Sequence, residues 1–183
     1  MKKLKIFYPK NTISFHKTTL VLFFLVTLIS LVHFSKKIFP ENFENIDLLN
    51  VFLIVVTFLY FIFYLIYTNL FRYELENGNY SGYLTIENDK IICDSKTYLI
   101  NEIEKVNILH YYYRGQSNSK ISALESKRSN GLKNYIEITT KNKIDKYYFL
   151  QTKKENIKMF RKEIKEYYEK GKIGKQNFEN IMN

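Results

Sequence analysis

Apolar and polar positions follow three different patterns along the chain. Residues 18–34 read TTLVLFFLVTLISLVHF and residues 48–71 read LLNVFLIVVTFLYFIFYLIYTNLF, neither with a formally charged side chain. At about 1.5 Å per residue each run crosses a hydrocarbon layer of roughly 30 Å, so two membrane-spanning helices are expected, over residues 18–35 and 48–71. The first is expected to be retained, because Ser35-Lys36-Lys37-Ile38-Phe39-Pro40 offers no small-residue cleavage site. Beyond residue 71 the pattern alternates. Leu84 and Ile86 share a face, Asn88-Asp89 turns into Ile91-Ile92-Cys93, and Asp94-Ser95-Lys96 turns again into the run 97–100. Val106, Ile108, His110 and Tyr112 share a face of a further strand over 104–113, with Tyr111 and Tyr113 opposite. The segment 132–140 then turns at Lys141-Asn142 into 144–150. That makes about six strands, and the alternating run Lys3 to Tyr8 is a candidate seventh. The third pattern is helical. Thr152 with Glu155 reads as a capping box, Ile157, Phe160, Ile164 and Tyr167 or Tyr168 form one apolar stripe, and Gly171 is a stop.

Charge sets the expected orientation. Lys2, Lys3, Lys5, Lys10 and Lys17 precede the first span with no acidic residue among them, whereas the connecting loop sets Lys36 and Lys37 against Glu41, Glu44 and Asp47. The positive-inside rule then places both chain ends on the cytosolic side of the inner membrane. The expected organisation is a basic cytosolic segment 1–17, a span 18–35, an external loop 36–47, a span 48–71, a β domain 72–152, a capping helix 153–170 and a tail 171–183. Within the spans, Thr27, Ser30 and His33 step by three residues, and Tyr60, Tyr64 and Tyr67 form a stripe. Both are candidate faces for packing within the hairpin or for a homo-oligomer through the membrane helices.

Two N-terminal spans are followed by Gly82 to Ile91 in the pattern G-x-L-x-I-x-x-D-x-I, then Asn101-Glu102-Ile103, Asn134-Tyr135-Ile136-Glu137-Ile138, Tyr148-Phe149-Leu150 and a closing helix. This order resembles small bacterial membrane proteins carrying a pleckstrin-homology-like (PH-like) domain. The resemblance implies a membrane helical hairpin plus a mainly-β domain, a partly open barrel of about six or seven antiparallel strands closed by the C-terminal amphipathic helix. The basic cluster with which eukaryotic members hold phosphoinositides is absent, since only Lys90 lies beside Asn88-Asp89. The architecture is also similar to two-span β-barrel effectors of cyclic-oligonucleotide (CBASS) anti-phage systems, which implies a nucleotide ligand and membrane disruption.

Composition narrows the chemistry. The single cysteine excludes an internal disulfide, and the three histidines are too far apart for a helical metal pair, so neither metal nor cofactor is expected. No phosphate loop, nucleophile elbow or His-Glu-x-x-His pattern occurs, and a non-enzymatic protein is expected. The net charge of +10 suits an anionic neighbour. The longest polar stretch, 114–131, carries Arg114, Lys120, Lys127 and Arg128 against Glu125, and it follows Tyr111, Tyr112 and Tyr113. Cations beside aromatic faces suit a nucleotide or a lipid headgroup, so the candidate ligand site is Tyr111, Tyr113, Arg114, Lys120, Lys127 and Arg128. The expected partners are the lipid bilayer and a protein or anionic ligand rather than a nucleic-acid polymer. The expected role is a membrane-tethered sensor or adaptor, with the gated effector or a toxin-immunity membrane protein as alternatives.

Overall fold

The computed structural model describes residues 2–12, 14–38, 46–117 and 124–183. Two compact units emerge. One comprises Met1–Thr12, Glu76–Asn118 and Arg128–Asn183; the other comprises Ile13–Leu75 and Ser119–Lys127.

The first unit is a seven-stranded antiparallel sheet with C-terminal helices. Its strands are β1 (Leu4–Pro9), β2 (Gly78–Ile86), β3 (Lys90–Cys93), β4 (Lys96–Leu99), β5 (Ile103–Leu109), β6 (Asn134–Thr140) and β7 (Lys143–Phe149), in the order β4-β3-β2-β1-β7-β6-β5. The run Lys3 to Tyr8 therefore supplies the central strand. A register shift between Lys5 and Phe7 lets Leu4, Ile6 and Phe7 all bury, which strict alternation forbids. The two ends of the chain segment between β1 and β2 are joined side by side. The Lys10 amide donates to the Asn77 carbonyl at 2.9 Å, and the Asn77 side-chain amide donates to the carbonyls of Lys10 and Thr12.

The sheet curls. Tyr98 on β4 and Tyr147 on β7 stand four steps apart in strand order, about 19 Å in a flat sheet at ~4.8 Å per strand. Their phenol oxygens nevertheless lie 2.6 Å apart, so the inner face wraps around a common core. Ile136, Ile138, Phe149, Leu84 and Ile91 fill that core, and Ile157, Phe160, Ile164 and Tyr167 cover it with the predicted stripe.

The capping elements differ from the sequence reading in two respects. Thr152 Oγ1 does accept from the Glu155 amide at 2.9 Å, but the pair closes a turn. The helical path starts later, as a 3₁₀ turn at Ile157–Phe160 capped by Asn156, and continues as α3 (Arg161–Glu169). It ends in a Schellman arrangement: Gly171 at φ 71° donates to the Tyr168 carbonyl, and Lys172 donates to that of Tyr167. Where a tail was expected, Lys175–Met182 forms another helix.

That helix has a role at the edge of the sheet. Val106 donates to the Lys172 carbonyl at 2.8 Å, and the Asn177 side chain both accepts from the Ile108 amide and donates to its carbonyl. The outer edge of β5 is thereby paired or capped, as an exposed strand edge requires.

The second unit holds α1 (Lys17–Ile38) and α2 (Ile46–Leu70), of 22 and 25 residues. Both are long and apolar enough to cross a membrane, and most of their large apolar side chains are exposed. The C-terminal helix Lys175–Met182 is α4.

Candidate functional site

The predicted loop residues occupy different surroundings. Tyr111 is half exposed with its ring 5.0 Å from that of His110, and the Tyr113 amide donates to Gln116 Oε1 at 3.0 Å. Arg114 forms an ion pair with Glu76 at 3.1 Å, and Arg128 bridges to Ser117. Lys127 belongs to the helical unit, and Lys120 lies outside the described residues. Of this set, Arg114 lines a cavity, one of about 330 Å³ shared with Lys5, Tyr80 and Tyr83. Beside it, burial and the Glu76 carboxylate push the Tyr80 phenol up to about 12.

The base of the loop is rigidly held by polar side chains that sequence reasoning did not single out. Asn134 is fully buried and bonds the Tyr112 amide and the carbonyls of Tyr112 and Gly131. Gln151, also fully buried, donates to the His110 carbonyl and accepts from the Ile157 amide. Gly131 sits at φ 77° where a Cβ would press on the Gln151 carbonyl and the Arg114 amide. A short ladder continues outward: Gly115 donates to Ser129 and Ser129 donates to Gln116.

A second cavity, of about 660 Å³, opens between the edge strand β4, the corner that follows it and the β6–β7 turn. Lys96, Lys141 and Lys143 line it with Thr97, Tyr98, Asn101, Glu102, Thr140 and Asn142. Its size falls in the ordinary range for a small-molecule site, roughly 300–1,000 Å³. Asp145 organises the lysines, lying 2.7 Å from Lys143 Nζ and 3.6 Å from Lys96 Nζ. Tyr98 donates to the same carboxylate at 2.6 Å, so the Tyr147 hydroxyl must donate to the Tyr98 oxygen. Burial alone would raise the Asp145 carboxyl, but hydrogen bonds from Lys143 and Tyr98 and the charge of Lys96 hold it below its usual value. Burial and the bond to Asp145 push the Tyr98 phenol upward. A carboxylate held ionised is a weak base, and a phenol held protonated is a weak acid, so the network suits fixed placement of cations better than proton transfer. The signal for this site in the sequence is the Lys141-Asn142 turn, followed by Lys143.

Cys93 is buried with its thiol pushed up by burial, which removes it as a nucleophile. Among the described residues no three of His, Cys, Asp and Glu cluster as a metal site.

In the helical unit, the Thr27 and Ser30 hydroxyls donate to the carbonyls four residues earlier, Phe23 and Val26. Both hydroxyls are therefore satisfied within α1 itself. The tyrosine stripe does pack inward: Tyr60 donates to the Thr18 carbonyl, and the Tyr64 hydroxyl lies 3.1 Å from Thr19 Oγ1. Arg72 completes this region, buried to 4% exposure. Compared with protein-family models, curated proteins and solved structures, the chain matches none.

Proposed function

We propose that this chain is a non-enzymatic, membrane-tethered sensor or adaptor whose β unit, a PH-like partly open barrel, binds an anionic ligand or an acidic stretch of a protein partner at the inner face of the cell membrane. The observation that carries the reading is the lysine-lined cavity of about 660 Å³ in a β unit interrupted by two bilayer-length helices. Lys96 and Lys143 are pre-positioned by Asp145, and pre-positioned donors lower the ordering cost of binding. Pairing of β1 with β2 supports an even number of crossings, because the segments before α1 and after α2 then lie on the same side. The lysines before α1 support the cytosolic side.

The test uses the full chain in nanodiscs of zwitterionic lipid, titrated with inorganic triphosphate at two salt concentrations. Replacing Lys96 and Lys141 together by glutamine is expected to raise Kd about tenfold and flatten its salt dependence, since each removed cation loses one screened contact. Unchanged Kd in that variant, with loss of binding in Arg114→Gln/Arg128→Gln instead, moves the ligand to the loop. No binding by the unaltered chain removes the anionic-ligand reading.

A second reading, a cyclic-oligonucleotide-gated membrane-disrupting effector, is favoured by one feature. Residues 124–127 of the loop between β5 and β6 belong to the helical unit, which gives the loop a direct hold on the helices. Dye leakage from liposomes carrying the chain, on adding cyclic dinucleotides and trinucleotides, separates the two. Leakage supports the effector; intact liposomes with retained triphosphate binding support the sensor.

A further inference from the structure

Arg72 follows the last turn of α2 and folds back along it. Its Nε donates to Ser126 Oγ at 2.9 Å, one terminal nitrogen donates to the Tyr64 hydroxyl at 3.1 Å and to Thr19 Oγ1 at 3.3 Å, and the other donates to the Leu124 carbonyl at 2.6 Å. The guanidinium also stands 5.1 Å over the Tyr64 ring, and His16 Nε2 lies 3.3 Å from Ser126 Oγ. A guanidinium stays protonated in proteins, and here all four acceptors are uncharged. Neutral acceptors are poor repayment for burying a charge, so simple packing does not account for an arginine at this position. What the arrangement does achieve is to join three segments distant in sequence: the first turn of α1, the end of α2 and the returning limb of the β5–β6 loop. Lysine, with one ammonium, has no planar fork to reach them all.

The chain beyond Ser126 makes this junction mechanically short. Only Lys127 separates Ser126, held by Arg72, from Arg128, which bridges to Ser117 in the ladder at the base of the loop. Two extended residue steps, Ser126 to Arg128, span about 7 Å at most, so a shift of the ladder beyond that reach must either break the Arg72 bonds or move the helix ends.

The geometry points to Arg72 as a positioning residue that clasps the returning limb of the β5–β6 loop to the helix hairpin, making the clasp a joint through which a change in the loop reaches the membrane helices and the reverse. This role does not depend on which ligand the β unit takes. Because coupling is reciprocal, loosening either side must loosen the other.

Hydrogen exchange of the full chain in nanodiscs reads both directions. Arg72→Gln is expected to speed exchange at least tenfold at the Gly115 and Ser129 amides, the ladder donors, and at Thr19 and Leu20, which donate to the His16 carbonyl. Arg72→Lys is expected to fall between, since it keeps the charge and loses the fork. Gly115→Ala, strained at φ 85°, is expected to speed exchange at Thr19 and Leu20 without touching the clasp itself. The Ile108 amide, bonded to Asn177 elsewhere in the β unit, is the internal reference. If Arg72→Gln fails to insert, Ser126→Ala removes a single acceptor and is expected to act in the same direction by about threefold. Ladder amides unchanged in Arg72→Gln or Ser126→Ala, or helix amides unchanged in Gly115→Ala, overturn the proposal and leave Arg72 as a local pin.

Discussion

His110 is 5% exposed at the end of β5, with Nε2 3.1 Å from the Asn180 carbonyl. Only a protonated Nε2 satisfies that oxygen, and Nδ1 then meets no donor among the described residues. Burial, helped by the charge of Lys158, lowers its pKa below 6.5 despite the Asn180 carbonyl. The folded state thus disfavours the imidazolium. Stability is complete above pH 6.5 and is lost as pH falls from there through the folded value, by up to about 1.4 kcal/mol per pH unit. Melting temperature in detergent is expected to drop between pH 7.5 and 5.5, and the drop is expected to shrink in His110→Asn. At this scale the sequence was informative about what is apolar and nearly silent about what is polar and buried. Ile136, Ile138 and Phe149 are core residues by alternation alone. Asn134, Gln151 and Arg72 look like turn or flanking residues in sequence, because their partners are carbonyls and amides that only the tertiary fold brings near.

Among the elements, α3 and most strands were legible, since a stripe at helical spacing and alternation at period two report burial directly. Helix α4 was not. Its eight residues contribute Ile181 as their fully buried side chain, a weak periodic signal, and its hold on the sheet comes from Asn177 bonding both main-chain groups of Ile108. Asn177→Ala leaves an amide and a carbonyl on β5 to find water, which is expected to lower the unfolding free energy by about 1–3 kcal/mol. Thermal denaturation of the variant against the parent chain measures this. Removing residues 175–183 is expected to go further and expose the β5 edge, with concentration-dependent self-association seen by light scattering. The capping box shows the opposite kind of mismatch: the predicted hydrogen bond is present, but Lys153–Asn156 complete a turn before any helix forms. Half of the box is realised: the Thr152 amide donates to the Glu155 main-chain carbonyl at 2.8 Å rather than to its carboxylate.

For the whole molecule, the hairpin of apolar helices was the most legible feature, and the meaning of the segment before it was the least. Residues 1–17 were expected as a basic cytosolic stretch with a possible strand; residues 4–9 are the centre of the sheet. The charge count alone does not reveal this, because position within a sheet depends on pairing across the whole helical insertion. The expected topology has Lys10 and the 171–183 segment on one side of the bilayer. Single cysteines introduced at Lys10 and Lys175 are expected to react alike with a membrane-impermeant maleimide only after inside-out vesicles are made. The native thiol interferes little, being buried. Opposite accessibility of the two positions rejects an even number of crossings.

The central place of β1 has a consequence for how the protein is made. The ribosome releases β1 first, yet its neighbours β2 and β7 do not exist until both apolar helices have been synthesised. The sheet is therefore completed only after both helices have been made, and the strand must wait unpaired in the meantime. Viewed as a loop, the helix hairpin is a cassette whose ends are tied by Asn77 to Lys10 and Thr12. Excising it and joining Thr12 to Glu76 through a short linker keeps every strand, whereas a fragment starting after α2 lacks the middle one.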